Sequence, residues 1–592
     1  MTTRATRSPR RRTVVALAVV LAVLAGFVVR LVDIQVVNAD DHRTNSLVGS
    51  GSTSTVYGAR GTIVDETGAL LADNLVQYDA AIDPYNVATQ AEGKEVVGPA
   101  VWPEQAAEIA AIVGLTPEAV QALVDPTVAD EEVRWVQLAK GLSTAQYRAL
   151  ADLEHNYLSF EPHPARTYPD GAVGGNLIGF VGSDSTPLAG IEAWQDECLA
   201  ATHGWQSYER GRDGVIIPGT TAGEEATDGG TLQLTINRDL QWFMQQLVAE
   251  QVQNQEAQYG TVFVVEVKTG KIRAAAEYPT VDPNDVASAN PEDLGSRIFT
   301  HQFEPGSTFK PVTAATIIEE GLATPTTPTV SAAGREEMSN GITINDVFEH
   351  DAFQYTLAGA LVDSSNVALS KFGDLATEEV RAEYLKKFGV AQGTAVDFPG
   401  EAQGIINPTP WDPASHWTST FGQSFTTTVP QVASVYQTLA NGGQQLPLRL
   451  IESCTTAEGD VIEPDLPEPV QVVSEKTADQ VTLMMENVYQ QVENHDVIEI
   501  PGYRAATKTG TAQKTDGQGG YKDGVWYTTL AGFAPADDPQ YVVILTLDEP
   551  LKNRMSAANA PGWGKAMTQV LKAYHVLPST VPGREILPKY DE

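Results

Sequence analysis

The stretch "EPGSTFKPVTAA", residues 304–315, places Ser307 and Lys310 where a glycine-containing loop turns into a helix. On a helix, position i+3 lies on the same face one turn along, so the lysine amine can be presented to the serine hydroxyl. A serine hydroxyl is a poor nucleophile at neutral pH and needs such a base. Alone the spacing decides little. A chain of 592 residues is expected to hold roughly one Ser-x-x-Lys by chance, and Ser307 reads equally well as a helix N-cap.

Two further motifs change the weight of the first. Ser364-Ser365-Asn366 follows 57 residues after Ser307, and Lys508-Thr509-Gly510-Thr511 follows 144 residues after Ser364. Either motif alone is an ordinary loop or turn. Lys310 must be neutral to act as a base, so burial and a neighbouring cation have to lower its pKa, and Lys508 is the candidate neighbour. Lys508 can also attract a substrate carboxylate, with Thr509 and Thr511 adding hydroxyl donors. Gly510 removes a side chain where a substrate backbone would lie against the strand. The amides of Ser307 and Thr511, with the helix dipole behind the first, are expected to form an oxyanion hole.

Outward from these motifs, "TLQLTINRDLQWFMQQLVAEQVQ" from residue 231 reads as a strand and then a helix with Leu240, Phe243, Met244 and Leu247 on one face. "TVFVVEVKTGKIRAAAEY" (261–278) reads as a hairpin, its Lys268-Thr269-Gly270 being turn chemistry and not a second copy of the site motif. Strands are expected in 502–513, 526–538 and 541–547, and a helix from about Pro561 to Tyr574. Strands from both ends of this region with helices between them point to an antiparallel sheet covered by helices. Residues 323–352, 400–417 and 455–475 are polar or proline-rich and read as loops. Nearer the N-terminus, residues 56–74 read as strand, turn at Thr67-Gly68, strand. Residues 103–153 read as a small helical insert, and 165–182 as loop with short apolar runs.

The formal net charge is −38, from 38 basic and 76 acidic side chains, which excludes a broad phosphate-binding surface and with it nucleic acid as a partner. Six arginines, at 4, 7, 10, 11, 12 and 30, fall within the first 30 residues without any acid. Between Arg12 and Arg30 lies "TVVALAVVLAVLAGFVV". With Arg30 snorkelling, the apolar stretch extends through Val32 to about membrane thickness, and the basic start places the N-terminus inside. A cleaved secretory signal ending near Ala25 is the alternative, and Arg10-Arg11-Arg12 faintly resemble a twin-arginine signal. The bulk of the chain is exported in either case. Two cysteines, Cys198 and Cys454, cannot be paired or separated from sequence, and no spacing suggests a metal site or a cofactor.

In this order the three motifs resemble those of penicillin-binding proteins and serine β-lactamases. Nearly the whole chain is similar to class B penicillin-binding proteins, the monofunctional peptidoglycan D,D-transpeptidases, and most to the division-septum type. "RGTIVDETGALLA" from Arg60, "RTYPDG" at 166–171 and Gly190-Ile191-Glu192 resemble motifs of that family's N-terminal pedestal. "FGQSFTTTVPQVASVYQTLANGG" (421–443) resembles a segment of its catalytic domain. The resemblance implies an α+β multidomain chain: cytoplasmic tail 1–12, transmembrane anchor 13–32, an elongated mixed α/β pedestal (dimerisation-type) domain 33–230, and a serine β-lactamase-like transpeptidase domain 231–592, its antiparallel sheet flanked by helices, on the outer face of the membrane.

By the same resemblance, Ser307 is the acylated nucleophile, Lys310 its base, and Ser364 a relay toward the leaving amine. Asn366 binds the substrate amide, and Lys508, Thr509, Gly510 and Thr511 line the carboxylate end. The implied substrates are D-Ala-D-Ala stem peptides, the implied inhibitors β-lactams, and the implied partners a membrane-embedded glycan polymerase and other division proteins. Arg60 and Glu192 resemble members of a structural polar network. The chain departs from the family pattern at Glu66, where arginine is common, which puts that pedestal contact in doubt. It departs again at Ser424, where a second glycine often follows Gly-Gln. The alternatives are an elongation-type relative, a β-lactamase, or a non-catalytic β-lactam sensor or scaffold. A class A β-lactamase needs a water-activating glutamate, and no Glu-x-x-Leu-Asn lies between the second and third motifs.

Overall fold

The computed structural model describes residues 9–33, 37, 52–89, 97–182, 185–209, 217, 218, 220–492, 495–517 and 520–591. Of the expected cytoplasmic tail, residues 1–8 lie outside the described residues. The chain divides into two compact units, residues 1–59 with 201–229, and residues 60–200 with 230–592. The first unit contains the helix Pro9–Val32, in which Thr13–Val32 is long and apolar enough to cross a membrane. It also contains an antiparallel sheet of Ser52–Val56, Gly204–Tyr208 and Ala222–Glu224.

The second unit is built on a five-stranded antiparallel sheet in the order Ile272–Tyr278, Tyr259–Glu266, Tyr541–Asp548, Tyr521–Ala534, Ala506–Thr515. All eight residues of the central strand YVVILTLD are buried, as a strand covered on both faces requires. Its side chains alternate between two apolar layers. Val543, Leu545 and Leu547, with Val262 and Val264, pack against the helices Arg238–Gln255 and Ala560–Ala573 through Leu240, Met244, Trp563 and Met567. Val542 and Ile544, with Phe263 and Val265, join the layer of Lys310–Glu319, Val429–Ala440 and Glu475–Gln491. The expected hairpin, sheet and covering helices are all present.

A second sheet runs Val461–Ile462, Ile451–Thr455, Thr231–Leu234, Ile63–Val64, Leu70–Ile82, Val136–Leu142, with Leu158–Thr167 also on Leu70–Ile82. Its tight turn falls at Thr67-Gly68, where Gly68 has φ +88° and the Asp65 carboxylate accepts the Thr67 and Ala69 N–H groups at 2.7 and 2.9 Å. The helical insert comprises Gly98–Val113, Pro117–Gln121 and Thr144–Ala151, the last opened by Ser143 in a capping box with Gln146.

Several expectations are corrected. Pro103 lies inside the first insert helix, and the strand Val136–Leu142 interrupts the insert. Residues 165–182 begin with the end of a ten-residue strand and include the short helix Gly175–Ile178. The segment read as loop at 323–352 carries two ribbons, Val330–Ala332 with Phe353–Tyr355 and Arg335–Glu337 with Thr343–Asn345. Those at 400–417 and 455–475 hold the helix Pro413–Thr418 and the strands Ile405–Ile406, Val461–Ile462 and Val470–Gln471. Strands of two or three residues have too few side chains to display an alternation.

Three features tie residues 60–200 to the rest of the second unit and to themselves. Glu192 is fully buried and accepts from Arg60 Nε at 2.7 Å, Arg166 Nε at 2.6 Å and the Tyr168 hydroxyl at 3.2 Å, while Arg60 also reaches Asp196 at 2.6 Å. Glu66 pairs with Arg273 on the hairpin strand and accepts from Asn237 at 2.9 Å and the Tyr574 hydroxyl at 2.8 Å. The departure at Glu66 therefore leaves a paired carboxylate, with Arg273 supplying the arginine. Cys198 and Cys454 form a disulfide that joins the helix Asp196–Leu199 to the strand Ile451–Thr455.

Removing a buried carboxylate that serves two arginines leaves both guanidinium groups short of a counter-charge. Glu192→Ala is expected to lower the unfolding free energy by about 3–5 kcal/mol. Urea unfolding of the variant against the parent checks this, and a loss under about 0.5 kcal/mol would show that the buried Glu192 network adds nothing to stability.

Candidate active site

Each motif sits on its own element, and packing between those elements brings the motifs together. Ser307 lies in the 3-10 turn Gly306–Phe309, and Lys310 opens the helix Lys310–Glu319. Gly306 has φ +56°, and its amide donates to Gly422 O at 2.8 Å. A Cβ on Gly422 would come within 1.9 Å of the Gly306 carbonyl oxygen, so this close approach requires glycine. The Tyr436 hydroxyl donates to Thr308 O at 2.9 Å from the far side and fixes the turn to the helix Val429–Ala440. Ser364 occupies the left-handed region at φ +54° between the helices Leu357–Val362 and Asn366–Gly373. Such a conformation in a serine costs on the order of 1–3 kcal/mol and is kept where the surroundings enforce it.

The consequence of that conformation is that both oxygens of Ser364 reach Lys310. Lys310 Nζ lies 2.5 Å from the Ser364 carbonyl oxygen, 3.1 Å from Ser364 Oγ and 2.8 Å from Asn366 Oδ1. Lys508 Nζ lies 3.0 Å from the same Ser364 Oγ and 3.1 Å from Thr509 O. One hydroxyl thus bridges two lysines that are 0% and 1% exposed. Burial, then the charge of Lys508, pulls Lys310 well below the ordinary lysine range, against which Asp346 acts. Burial brings Lys508 down to about 7.

Two sequence expectations are corrected here. Among the described residues, Lys310 makes its hydrogen bonds to Ser364 and Asn366 and none to the Ser307 hydroxyl. Ser307 sits three residues before Lys310, in the 3-10 turn that leads into the Lys310 helix. Gly510 leaves room for the nucleophile's own turn. A Cβ there would lie 2.8 Å from Thr308 Cγ2 and 3.0 Å from Pro305 O. Thr509 and Thr511 are half-buried on the strand Ala506–Thr515, and the Thr511 hydroxyl accepts the Ser556 N–H at 3.1 Å, which leaves its own proton free to donate. That strand ends the sheet order, so its outer edge offers backbone groups to an extended peptide.

Sequence reasoning missed Glu304 and the pair Asp346 and His350. Glu304 is buried, accepts from Ser424 N at 2.9 Å and from the Tyr521 hydroxyl, and is raised above the usual carboxylate range by burial. Ser424, the second departure, sits at φ +63°, the conformation that explains a glycine preference there. A cavity of about 1030 Å³ runs from Glu304, Gln513 and Lys514 toward Tyr259, Arg297 and Asp548. Asp346 Oδ1 accepts the N–H groups of Asn366 and Val367 at 2.6 and 3.0 Å and so fixes the start of the Asn366 helix. The decoy Lys268 is exposed, at the turn of its hairpin. Among the described residues no group of three or more His, Cys, Asp or Glu is arranged to hold a metal ion.

Residues 260–568 match the family model of the penicillin-binding protein transpeptidase domain, and residues 55–234 that of the penicillin-binding protein dimerisation domain. The chain belongs to the penicillin-binding protein transpeptidase family. It is 32% identical to the penicillin-binding protein PbpB of Mycolicibacterium smegmatis over 95% of this chain and 90% of that one. It is 28% identical to the peptidoglycan D,D-transpeptidase FtsI of Escherichia coli K12 over 76% and 75% of the two chains. Among solved structures, a peptidoglycan synthetase from Bifidobacterium adolescentis superposes with TM-score 0.71 at 28% identity, over 91% of this chain and all of that one. Penicillin-binding protein 3 of Mycobacterium tuberculosis in complex with aztreonam superposes with TM-score 0.69 at 26% identity, over 91% and 100%.

A methyl group at 510 would separate the site strand from the nucleophile turn. Gly510→Ala is expected to slow penicillin acylation about 10²-fold, as misplacement by an ångström does, with the fold retained. The second-order acylation rate measured by intact mass checks it, and a rate within twofold of the parent would show that the turn gives way at no cost.

Proposed function

We propose that Ser307 attacks the penultimate D-Ala carbonyl of a stem peptide while Lys310, as the neutral amine, takes its proton. The Oγ–C bond forms, the C–N bond to the terminal D-Ala breaks, and the proton passes through Ser364 to the departing amine. In the second half, the amine of a neighbouring stem attacks the ester and Ser307 recovers its proton. The chain is a serine-type peptidoglycan D,D-transpeptidase, and its cross-linking serves septal wall synthesis in cell division. The observation that carries the assignment of roles is the meeting of Lys310, Ser364, Asn366 and Lys508 within hydrogen-bond reach, from motifs about 200 residues apart.

A neutral lysine has two hydrogens and one lone pair. The two short contacts of Lys310, to Ser364 O and Asn366 Oδ1, use the hydrogens, which leaves the lone pair toward Ser364 Oγ. In the resting site Ser364 then donates to Lys310 and accepts from the Lys508 ammonium; when Ser307 attacks, the lone pair takes the Ser307 proton and Ser364 becomes the acceptor that passes it on. Asn366 presents its carbonyl to Lys310 because its Nδ2 donates to Asn345 O at 2.9 Å. A stem peptide lies as an added strand along the outer edge of Ala506–Thr515, with its carboxylate at Lys508, Thr509 and Thr511. The Ser307 and Thr511 amides receive the oxyanion.

β-Lactams acylate Ser307 in place of the stem peptide, in keeping with the aztreonam and ampicillin complexes of the Mycobacterium tuberculosis relative. The Thr13–Val32 helix anchors the chain in the cell membrane with residues 1–12 inside and the catalytic domain outside. The transpeptidase then works beside a membrane-embedded glycan polymerase, which makes the strands that it cross-links.

Intact mass and peptide mapping after incubation with a penicillin test the reading. A long-lived adduct on Ser307 is expected, and Ser307→Ala is expected to lose it completely with unchanged folding. Rapid adduct loss with drug turnover would overturn the reading in favour of a hydrolase. Acylation needs Lys310 neutral and Lys508 charged, so the rate is expected to rise with pH through the depressed titration of Lys310 and to fall above about pH 7 as Lys508 loses its proton. A rate that climbs without a maximum to pH 10 would show that Lys508 acts without its charge.

A further inference from the structure

The segment between the two ribbons, residues 346–352, is tied both to itself and to the active site. His350 and Asp346 have side chains 7% and 4% exposed. His350 Nε2 lies 3.0 Å from Asp346 Oδ2, and His350 Nδ1 lies 2.7 Å from the Asp351 carbonyl oxygen. A carboxylate and a carbonyl only accept, so both ring nitrogens must donate, and only the imidazolium carries two N–H groups. The ring is stacked on Phe353 with centroids 5.0 Å apart and planes 8° from parallel, a face that favours a cation. Asp346 uses its other oxygen for the N–H groups of Asn366 and Val367, and Asn366 Oδ1 receives Lys310. A chain of four groups therefore runs from His350 through Asp346 and Asn366 to the base.

We propose that His350 is a positioning residue for acylation, whose charge neutralises Asp346 where the N–H groups of Asn366 and Val367 hold it, so that Lys310 can stand there without a proton. Without the imidazolium charge, Asp346 stays on the helix but faces Lys310 as an uncompensated anion. Lys310 then keeps its proton to higher pH, and the fraction of enzyme with a working base falls at neutral pH. The other charges around the pair are fixed by their own partners. Lys310 faces Lys508 from the site strand. His350 faces Asp363 just before Ser364, and Tyr355. Asp363 is held by Lys589 at 2.7 Å and by the Tyr590 hydroxyl. The histidine titrates above its ordinary value, through Asp346, the Asp351 carbonyl and Asp363 acting against burial.

The inference rests on Lys310 being the base, and the test separates the two. With the full chain, the second-order rate of Ser307 acylation by a penicillin is followed by intact mass from pH 5 to 10 in the parent, His350→Gln, Asp346→Asn and the double variant. His350→Gln is expected to move the acid limb up by about one pH unit, a roughly tenfold loss on that limb, while the alkaline limb stays. Asp346→Asn keeps an acceptor for the helix N–H groups and is expected to move the same limb down. The double variant is expected to return it close to the parent position. A uniform fall at every pH, or limbs that stay in place, would overturn the positioning role while leaving Ser307 and Lys310 assigned. Absence of any acylation in the parent would overturn the functional reading itself. Nitrogen chemical shifts of His350 in the unaltered protein give an independent check: two protonated ring nitrogens at pH 7 are expected, and a neutral ring would contradict the proposal whatever the variants do.

Discussion

Two lysine amines buried about a single serine hydroxyl set the terms for the rest of this molecule. Taking two ammonium groups out of water is costly, and the cost falls if one of them gives up its proton. Lys310, which burial and the charge of Lys508 both depress, therefore gives up its proton before Lys508 does. The state that burial makes favourable, one neutral amine beside one cation, is also the state that general-base attack requires. Beside the Lys508 charge, Lys310 needs only a dry environment and acceptors for its hydrogens, which Ser364 O and Asn366 Oδ1 supply.

That dryness depends on the architecture. The five-stranded sheet supplies Lys508 from an end strand, while its central strand anchors two helical layers. The Ser307 turn is pressed between Gly510 of the strand, where a Cβ would crowd it, and Gly422 of the loop that follows Phe421, where a Cβ would overlap it. Residues 60–200 are held firmly to this body. Arg60, Arg166 and Glu192 form a buried polar centre, Glu66 reaches Arg273 and Tyr574, and a disulfide crosses from Cys198 to Cys454.

Much of this was legible before any coordinates. The three motifs gave the cluster because each is a short run whose residue types have a mechanism, and the central strand and the Arg238–Gln255 helix announce themselves by burial pattern and period. The Cys198–Cys454 pairing was not legible, because 256 residues separate the two and distance in sequence carries no geometry. Asp346 and His350 were missed for a related reason. They lie in a polar segment between three-residue strands, and their significance comes from hydrogen bonds to a helix that begins 20 residues later. Gly510 was assigned to the substrate because an edge-strand glycine suggests a passing backbone; the backbone that passes is the protein's own. The Lys310 amine was expected on Ser307 because i and i+3 share a helix face. The left-handed Ser364 outcompetes that neighbour by offering two oxygens at once.

The central claim is that Lys310 is neutral while Lys508 is charged in the resting protein at neutral pH. Lysine labelled with carbon-13 at Cε, titrated by NMR in the full chain and assigned with Lys310→Arg and Lys508→Arg, measures this directly. Two buried lysine signals are predicted, one reaching the free-amine shift at a lower pH than the other, which leaves the ammonium shift near pH 7. If both signals stay at the ammonium shift up to pH 9, burial has not deprotonated Lys310, and the nucleophile must be activated by some other group.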